Sequence, residues 1–157
     1  MYLETRTITK PRGSVADMLE AKGTTVHGIG PQDSVYDAVA RMTEHRVGAL
    51  VVMTGEHLVG IISERDYTRK IILLGRSSKE TKVEEIMTAD VITVTPRTSL
   101  AECLHIVTRH SVRHLPVLDG PRVAGLISIG DLVRAVLVQQ AETIESLNSF
   151  IGTEYPH

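Results

Sequence analysis

With 157 residues, the chain is long enough for one compact domain or for two small halves that share a core. Its 17 basic against 19 acidic side chains leave a net charge of -2, without the basic excess of a dedicated nucleic-acid binder. No apolar run approaches the ~18 residues that cross a bilayer, Met1–Gly13 lacks the hydrophobic stretch of a signal peptide, and the lone Cys103 cannot form an internal disulfide; a cytoplasmic protein without a membrane role is expected.

In chain order, residues 1–14 read as an N-terminal arm, and a short extended piece is expected around Val26. Ser34 precedes Val35, Ala38, Val39 and Met42, the i, i+3, i+4, i+7 face of an amphipathic helix. A strand over Val47 to Met53, a turn at Gly55 and a strand over Leu58 to Ile62 follow, and a second helix starts near Asp66. Residues 75–82 are a polar linker. The order then recurs: an extended piece at Val91 to Val94, a helix after Ser99 with Leu100, Cys103, Leu104 and Val107 on one face, and strands over Arg113 to Leu118 and Val123 to Ile127 around Gly120. A last helix starts near Asp131. Ser99 with Glu102, and Ser34 with Asp37, have the spacing of a helix-capping box.

The recurrence is a duplication. Displaced by 65 residues, 31–70 aligns with 96–135 without a gap, and 13 of the 40 pairs are identical, among them Pro31/Pro96, Gly60/Gly125, Ser63/Ser128, Asp66/Asp131 and Arg69/Arg134. Average composition would give about two or three. The chain is therefore divided into a first repeat over 15–74 and a second over 83–138, each β-α-β-β-α. One such unit alone would struggle to bury enough surface, so the two are expected to pack about a pseudo-twofold axis. Residues 139–157 form a helical extension and tail. The segment from Asp131 to Ile151 carries a stripe of Leu132, Val133, Val136, Leu137, Ile144, Leu147 and Ile151, which predicts a homodimer contact.

Val83-Glu-Glu-Ile-Met-Thr88, Val91-Ile-Thr-Val-Thr-Pro96, His110-Ser-Val-Arg-His-Leu-Pro-Val117 and Gly125-Leu-Ile-Ser-Ile-Gly-Asp131 closely resemble a CBS (cystathionine β-synthase-type) domain. His45-Arg-Val-Gly-Ala-Leu-Val-Val52 and Gly60-Ile-Ile-Ser-Glu-Arg-Asp66 carry the same marks, so the whole resembles a CBS pair, or Bateman module. The resemblance implies an α/β fold of tandem repeats, no catalysis, and an adenosine ligand between the repeats. AMP is the first expectation, with ATP, ADP, NAD or S-adenosylmethionine as alternatives and no metal. It also implies disc-shaped dimers and an effector protein that receives the signal.

The chemistry centres on Ser-x-x-Asp, at Ser63/Asp66 and Ser128/Asp131. A helix start attracts phosphate, and a carboxylate can accept both hydrogen bonds of a ribose diol. The same spacing is also an ordinary helix cap. Carried over from the resemblance, the first cleft joins Ser63, Arg65 and Asp66 to Val91, Ile92, Arg113, His114 and Pro116. The second joins Ser128, Gly130 and Asp131 to Val26, Val47, Gly48 and Ala49, with Thr25 or Lys22 beside them. Arg65, Arg113 and His114 of the first cleft match Gly130, Gly48 and Ala49 of the second, which predicts that the first takes the more highly charged nucleotide. Two other functions stand against this one: a structural dimer with vestigial clefts, and a nucleic-acid binder using Arg41, Arg46, Arg65, Arg69, Lys70 and Arg76. His105, His110 and His114 match no zinc spacing, and Cys103 reads as core.

Overall fold

Serine precedes every α-helix: Ser14 before α1 (Val15–Lys22), Ser34 before α2 (Val35–His45), Ser63 before α3 (Glu64–Tyr67), Ser99 before α4 (Leu100–His110) and Ser128 before α5 (Ile129–Thr153). In this computed structural model, each hydroxyl accepts a bond from the backbone N–H three residues on, at 3.4, 3.0, 3.2, 3.1 and 3.1 Å in that order. Such a cap is worth about 1 kcal/mol. At Ser14, Ser63 and Ser128 an aspartate returns the bond to the serine N–H, at 2.9, 2.9 and 2.8 Å, completing the box. At Ser34 and Ser99 only the hydroxyl half forms. Residues 10–153 are described, with side chains to 149; residues 1–9 of the arm, the tail at 154–157 and the Ile151 side chain of the predicted stripe lie outside them.

The first repeat shows the full β-α-β-β-α order, and the second shows α-β-β-α with a single bridge where its first strand was expected. In the first repeat β1 (Gly28–Ile29) pairs parallel with β2 (Ala49–Thr54), which pairs antiparallel with β3 (His57–Ser63). In the second, β4 (His114–Asp119) pairs antiparallel with β5 (Arg122–Ser128), and the piece expected at Val91 to Val94 contributes one parallel bridge, Val94 to Val117. The first extended piece lies at Gly28–Ile29 rather than around Val26. Both hairpins carry a register shift at the same place, Val52/Met53 and Val117/Leu118. Both turn on a glycine with positive φ, 60° at Gly55 and 62° at Gly120, the conformation a two-residue hairpin loop demands. The duplication extends to α2 and α4, which end on Arg46 and Ser111 in the left-handed region. His45, in the last turn of α2, stacks on His27 with ring centroids 3.8 Å apart.

The second helices of the repeats diverge. α3 lasts four residues and passes into a π-helical turn, Thr68–Ile72, whereas α5 runs for 25 residues. Along α5, Val133, Leu137, Val138, Ile144 and Leu147 are exposed.

Each core is completed by chain from the other end of the sequence. Val15, Met18 and Leu19 of α1 are buried with Val94, Leu100, Cys103, Leu115, Val117 and Ile127 of the second repeat. Val83 and Ile86, in and after a short 3-10 turn (Val83–Glu85), are buried with Ile29, Val35, Met42, Leu50 and Ile62 of the first. The exchange is symmetrical to the hydrogen bond: Val15 N–H donates to Thr98 O and Val83 N–H to Asp33 O, at 2.8 and 2.9 Å. Here the repeats correspond at 68 residues rather than 65, because three extra residues lie between Leu19 and Pro31. Glycine makes the close approach feasible. A Cβ at Gly60 would lie 2.6 Å from Met87 Sδ, and one at Gly125 would lie 2.6 Å from Leu19 Cδ2.

Candidate functional site

Two clefts follow from this arrangement, and they differ. The first is an open cavity of about 380 Å³, within the range of small-molecule sites. Ser63, Glu64, Arg65, Asp66, Arg69 and Lys70 form one wall; Thr88, Asp90, Val91, Ile92, Arg113 and His114 form the other, with Gly48 and Ile61 between. Of the eight residues expected here, seven line the cavity. Pro116 does not: it is buried in β4, where its carbonyl accepts from Val94 N–H. Glu64, Arg69, Lys70, Thr88, Asp90, Ser111 and Val112 also line it. Arg69 had a signal in the sequence, since it lies one helical turn beyond Arg65 and is identical in both repeats.

Asp66 is held by its own helix start. Its Oδ2 accepts from Ser63 N–H at 2.9 Å and from Ser63 Oγ at 3.1 Å. Lys70 lies 3.2 Å from Oδ1, and also donates to the Ile86 carbonyl at 2.7 Å. These partners come from its own helix start and the turn that follows it, and the Asp66 side chain stays 15% exposed. The capping role is therefore real, and the carboxylate still faces the cavity. With α3 one turn long, attraction for an anion falls to side chains. The neighbouring Arg69 and Arg113 hold the Arg65 guanidinium below its ordinary value. Among the described residues, no acidic side chain forms a salt bridge to Arg65, Arg69 or Arg113. His114 lies beyond them, its Nε2 3.6 Å from where a Gly48 Cβ would be. Burial lowers its pKa first, and Lys22 and Arg113 lower it further against the opposing pull of Asp131.

At the second cleft the aspartate is engaged by two cations. Asp131 Oδ2 accepts from Ser128 N–H at 2.8 Å and from Lys22 Nζ at 2.5 Å, while Arg134 Nη2 donates to Oδ1 at 2.5 Å. The side chain is only 7% exposed. Burial pushes its pKa upward, but bonds from Lys22 and Ser128 and the Lys22 charge outweigh that and leave the carboxyl below its ordinary value. Ser128 and Asp131 are thus together, with Gly130 between them on α5. Of the expected base-contacting side, Thr25 is exposed, Val26 and Val47 are half-buried, and Ala49 is buried in the sheet. Gly48 lines the first cavity.

Of the six cations weighed as a nucleic-acid surface, three line the first cavity. Arg41 bonds the Gly28 carbonyl, Arg76 pairs with Glu85 at 2.8 Å, Lys70 is held by Asp66, and Arg65 and Arg69 line the cavity. Cys103 is buried and its thiol is pushed up to about 11, by burial first and then by Glu102. Among the described residues, no three His, Cys, Asp or Glu side chains are close enough to hold a metal ion, and no helix is long and apolar enough to cross a membrane.

The CBS domain model matches this sequence twice, over residues 24–73 and 83–138. A CBS domain-containing mitochondrial protein of Arabidopsis thaliana, CBSX3, is 46% identical over 151 residues, which cover 90% of this chain and 73% of the relative. A solved structure of a candidate signal-transduction protein with CBS domains from Burkholderia ambifaria superposes with a TM-score of 0.79 at 50% identity, covering 82% of this chain and 96% of that one. The solved CBS domain NE2398 superposes with a TM-score of 0.77 at 47% identity, covering 80% and 99%.

Proposed function

Since the chain belongs to the CBS-domain family, with two repeats packed against each other, we propose that it is a regulatory signal-transduction module whose first cleft binds an adenine nucleotide without transforming it. One observation carries this reading: a single cavity gathers apolar Val91 and Ile92, the Asp66 carboxylate, and the guanidiniums of Arg65, Arg69 and Arg113. Val91 and Ile92 would flank the flat base, and Asp66 would accept from the ribose hydroxyls with the lone pairs its cap leaves free. The three guanidiniums would meet the phosphates. Because the three guanidiniums crowd there with no acid among the described residues salt-bridged to them, a polyphosphate relieves more repulsion than AMP does, so ATP and ADP rank above AMP. The cavity lies between the repeats, and a ligand that prefers one angle between them passes a signal by shifting that angle. The receiver would be an effector protein. A second copy of the chain on the exposed α5 stripe would make the module a homodimer. The unreactive thiol of Cys103 suits a reducing interior, the cytoplasm or an organelle such as that of the Arabidopsis relative.

The test is a melting-temperature screen with AMP, ADP, ATP, NAD and S-adenosylmethionine. A nucleotide at 100 times its dissociation constant should add about 2.7 kcal/mol of stability. Asp66→Ala should weaken binding by roughly 10- to 100-fold, the worth of a charged hydrogen bond. No shift with any of the five ligands would leave the structural-dimer reading in its place.

A further inference from the structure

Lys22 has no counterpart of its own kind at the first cleft. In the 68-residue register that pairs Val15 with Val83, Met18 with Ile86 and Leu19 with Met87, Lys22 falls on Asp90. Asp90 lines the open cavity. Lys22 instead reaches from α1 to Asp131 Oδ2 and to the Leu126 carbonyl, at 2.5 and 2.6 Å. At the first cleft the equivalent carbonyl, that of Ile61, is satisfied by the Thr88 backbone N–H at 2.9 Å. A side-chain ammonium thus does for Leu126 what main chain does for Ile61, and engages the acidic residue at the same time.

We propose that Lys22 is a tethered occupant of the second cleft, holding Asp131 closed to a ribose so that the chain takes up one nucleotide rather than two. This rests on the nucleotide reading of the first cleft. A diol needs acceptor lone pairs that point into the cleft. On Asp131, Oδ2 is shared between Ser128 and Lys22, and Oδ1 is taken by Arg134. On Asp66 every partner belongs to the aspartate's own helix and the turn that leads out of it. The distinction is therefore one of sign at a single position: an acid opposite Asp66 stays apart from it, whereas a lysine opposite Asp131 seals it. The Lys22 side chain is 38% exposed, so replacing it admits water rather than leaving a buried void.

The experiment counts ATP sites by titration calorimetry in the wild type, Lys22→Gln, Lys22→Gln/Asp131→Ala and Asp131→Asn, with melting curves to verify folding. One site is expected in the wild type, two in Lys22→Gln, and one again in the double variant. Asp131→Asn should keep the wild-type affinity within about twofold, since a closed cleft does not contribute to it. Two sites in the wild type would overturn the proposal, as would a folded Lys22→Gln with no added site. Should Lys22→Gln not fold, loss of a site in Asp131→Asn would overturn it and an unchanged affinity would uphold it. If the wild type binds no ATP, the nucleotide reading of the first cleft fails. The occupant proposal then stands if Lys22→Gln gains a site and falls if it gains none.

Discussion

The two clefts start from the same Ser-x-x-Asp capping box, and they part at what approaches the aspartate from α1 or from its counterpart near residue 90. At Asp66 the box is complete, the local lysine is shared between the carboxylate and the Ile86 carbonyl, and Asp66 lines an open cavity. At Asp131 the same box is overlaid by Lys22 and Arg134. A cap and a binding site therefore use one geometry, and the neighbouring charge selects between them. Duplication supplies two similar starting points, and a reversal of charge at one position, Asp90 against Lys22, accompanies a second cation at Asp131.

The largest effect that would break this comparison lies behind the clefts. Leu19→Ala removes a side chain buried against Gly125 in the second core and should cost about 2–5 kcal/mol. Hydrogen exchange should accelerate in β4 and β5 before β2 and β3, although Leu19 precedes the first repeat in sequence; faster exchange in β2 would contradict the exchanged cores. Next, Asp131→Ala should lower stability by about 1–2 kcal/mol through the lost cap, with little added from the pair, since water can replace its exposed partners. Its nucleotide affinity should stay as it is, against the loss expected of Asp66→Ala.

Gly60→Ala should cost about 1–3 kcal/mol and Gly125→Ala less. The new methyl at 60 meets the Thr88 backbone carbonyl at 3.0 Å as well as Met87, whereas at 125 only the ends of the Leu19 side chain are in the way. Equal melting temperatures would show that the two approaches are equally tight. The smallest effect is acid sensitivity. The Asp131 carboxyl is held below its ordinary 3.8, so its stabilisation is complete above that value and is lost as pH falls through the lower, folded-state value. The stability gap between wild type and Asp131→Asn should therefore be constant from neutral pH to about 4 and shrink only below it; a gap that closes near pH 6 would implicate another group.

Much of this was legible in advance because the signals are local and periodic. Ser34 and Ser99 ahead of a helical stripe, and Gly55 and Gly120 between apolar runs, define the repeat unit without any knowledge of partners. The first cleft could be assembled because Asp66, Arg65, Arg113 and His114 all fall inside the gapless 65-residue register. The second could not, because three extra residues between Leu19 and Pro31 shift the frame where its other wall begins. Lys22 could be placed near Asp131 but not bonded to it, and Ala49 could be matched to His114 although its side chain is buried in the sheet. The brevity of α3 was hidden as well. Nothing in Glu64–Ile72 announces a π-helical turn.

The swapped ends of the two cores bear on how the protein is made. As the chain leaves the ribosome, its first half holds β1, α2, β2 and β3 but cannot close around them until Val83 and Ile86 have emerged, while α1 must wait longer still for the strands it covers. Cleavage between residues 75 and 82 should therefore yield not two small independent proteins but two incomplete fragments that regain structure on mixing.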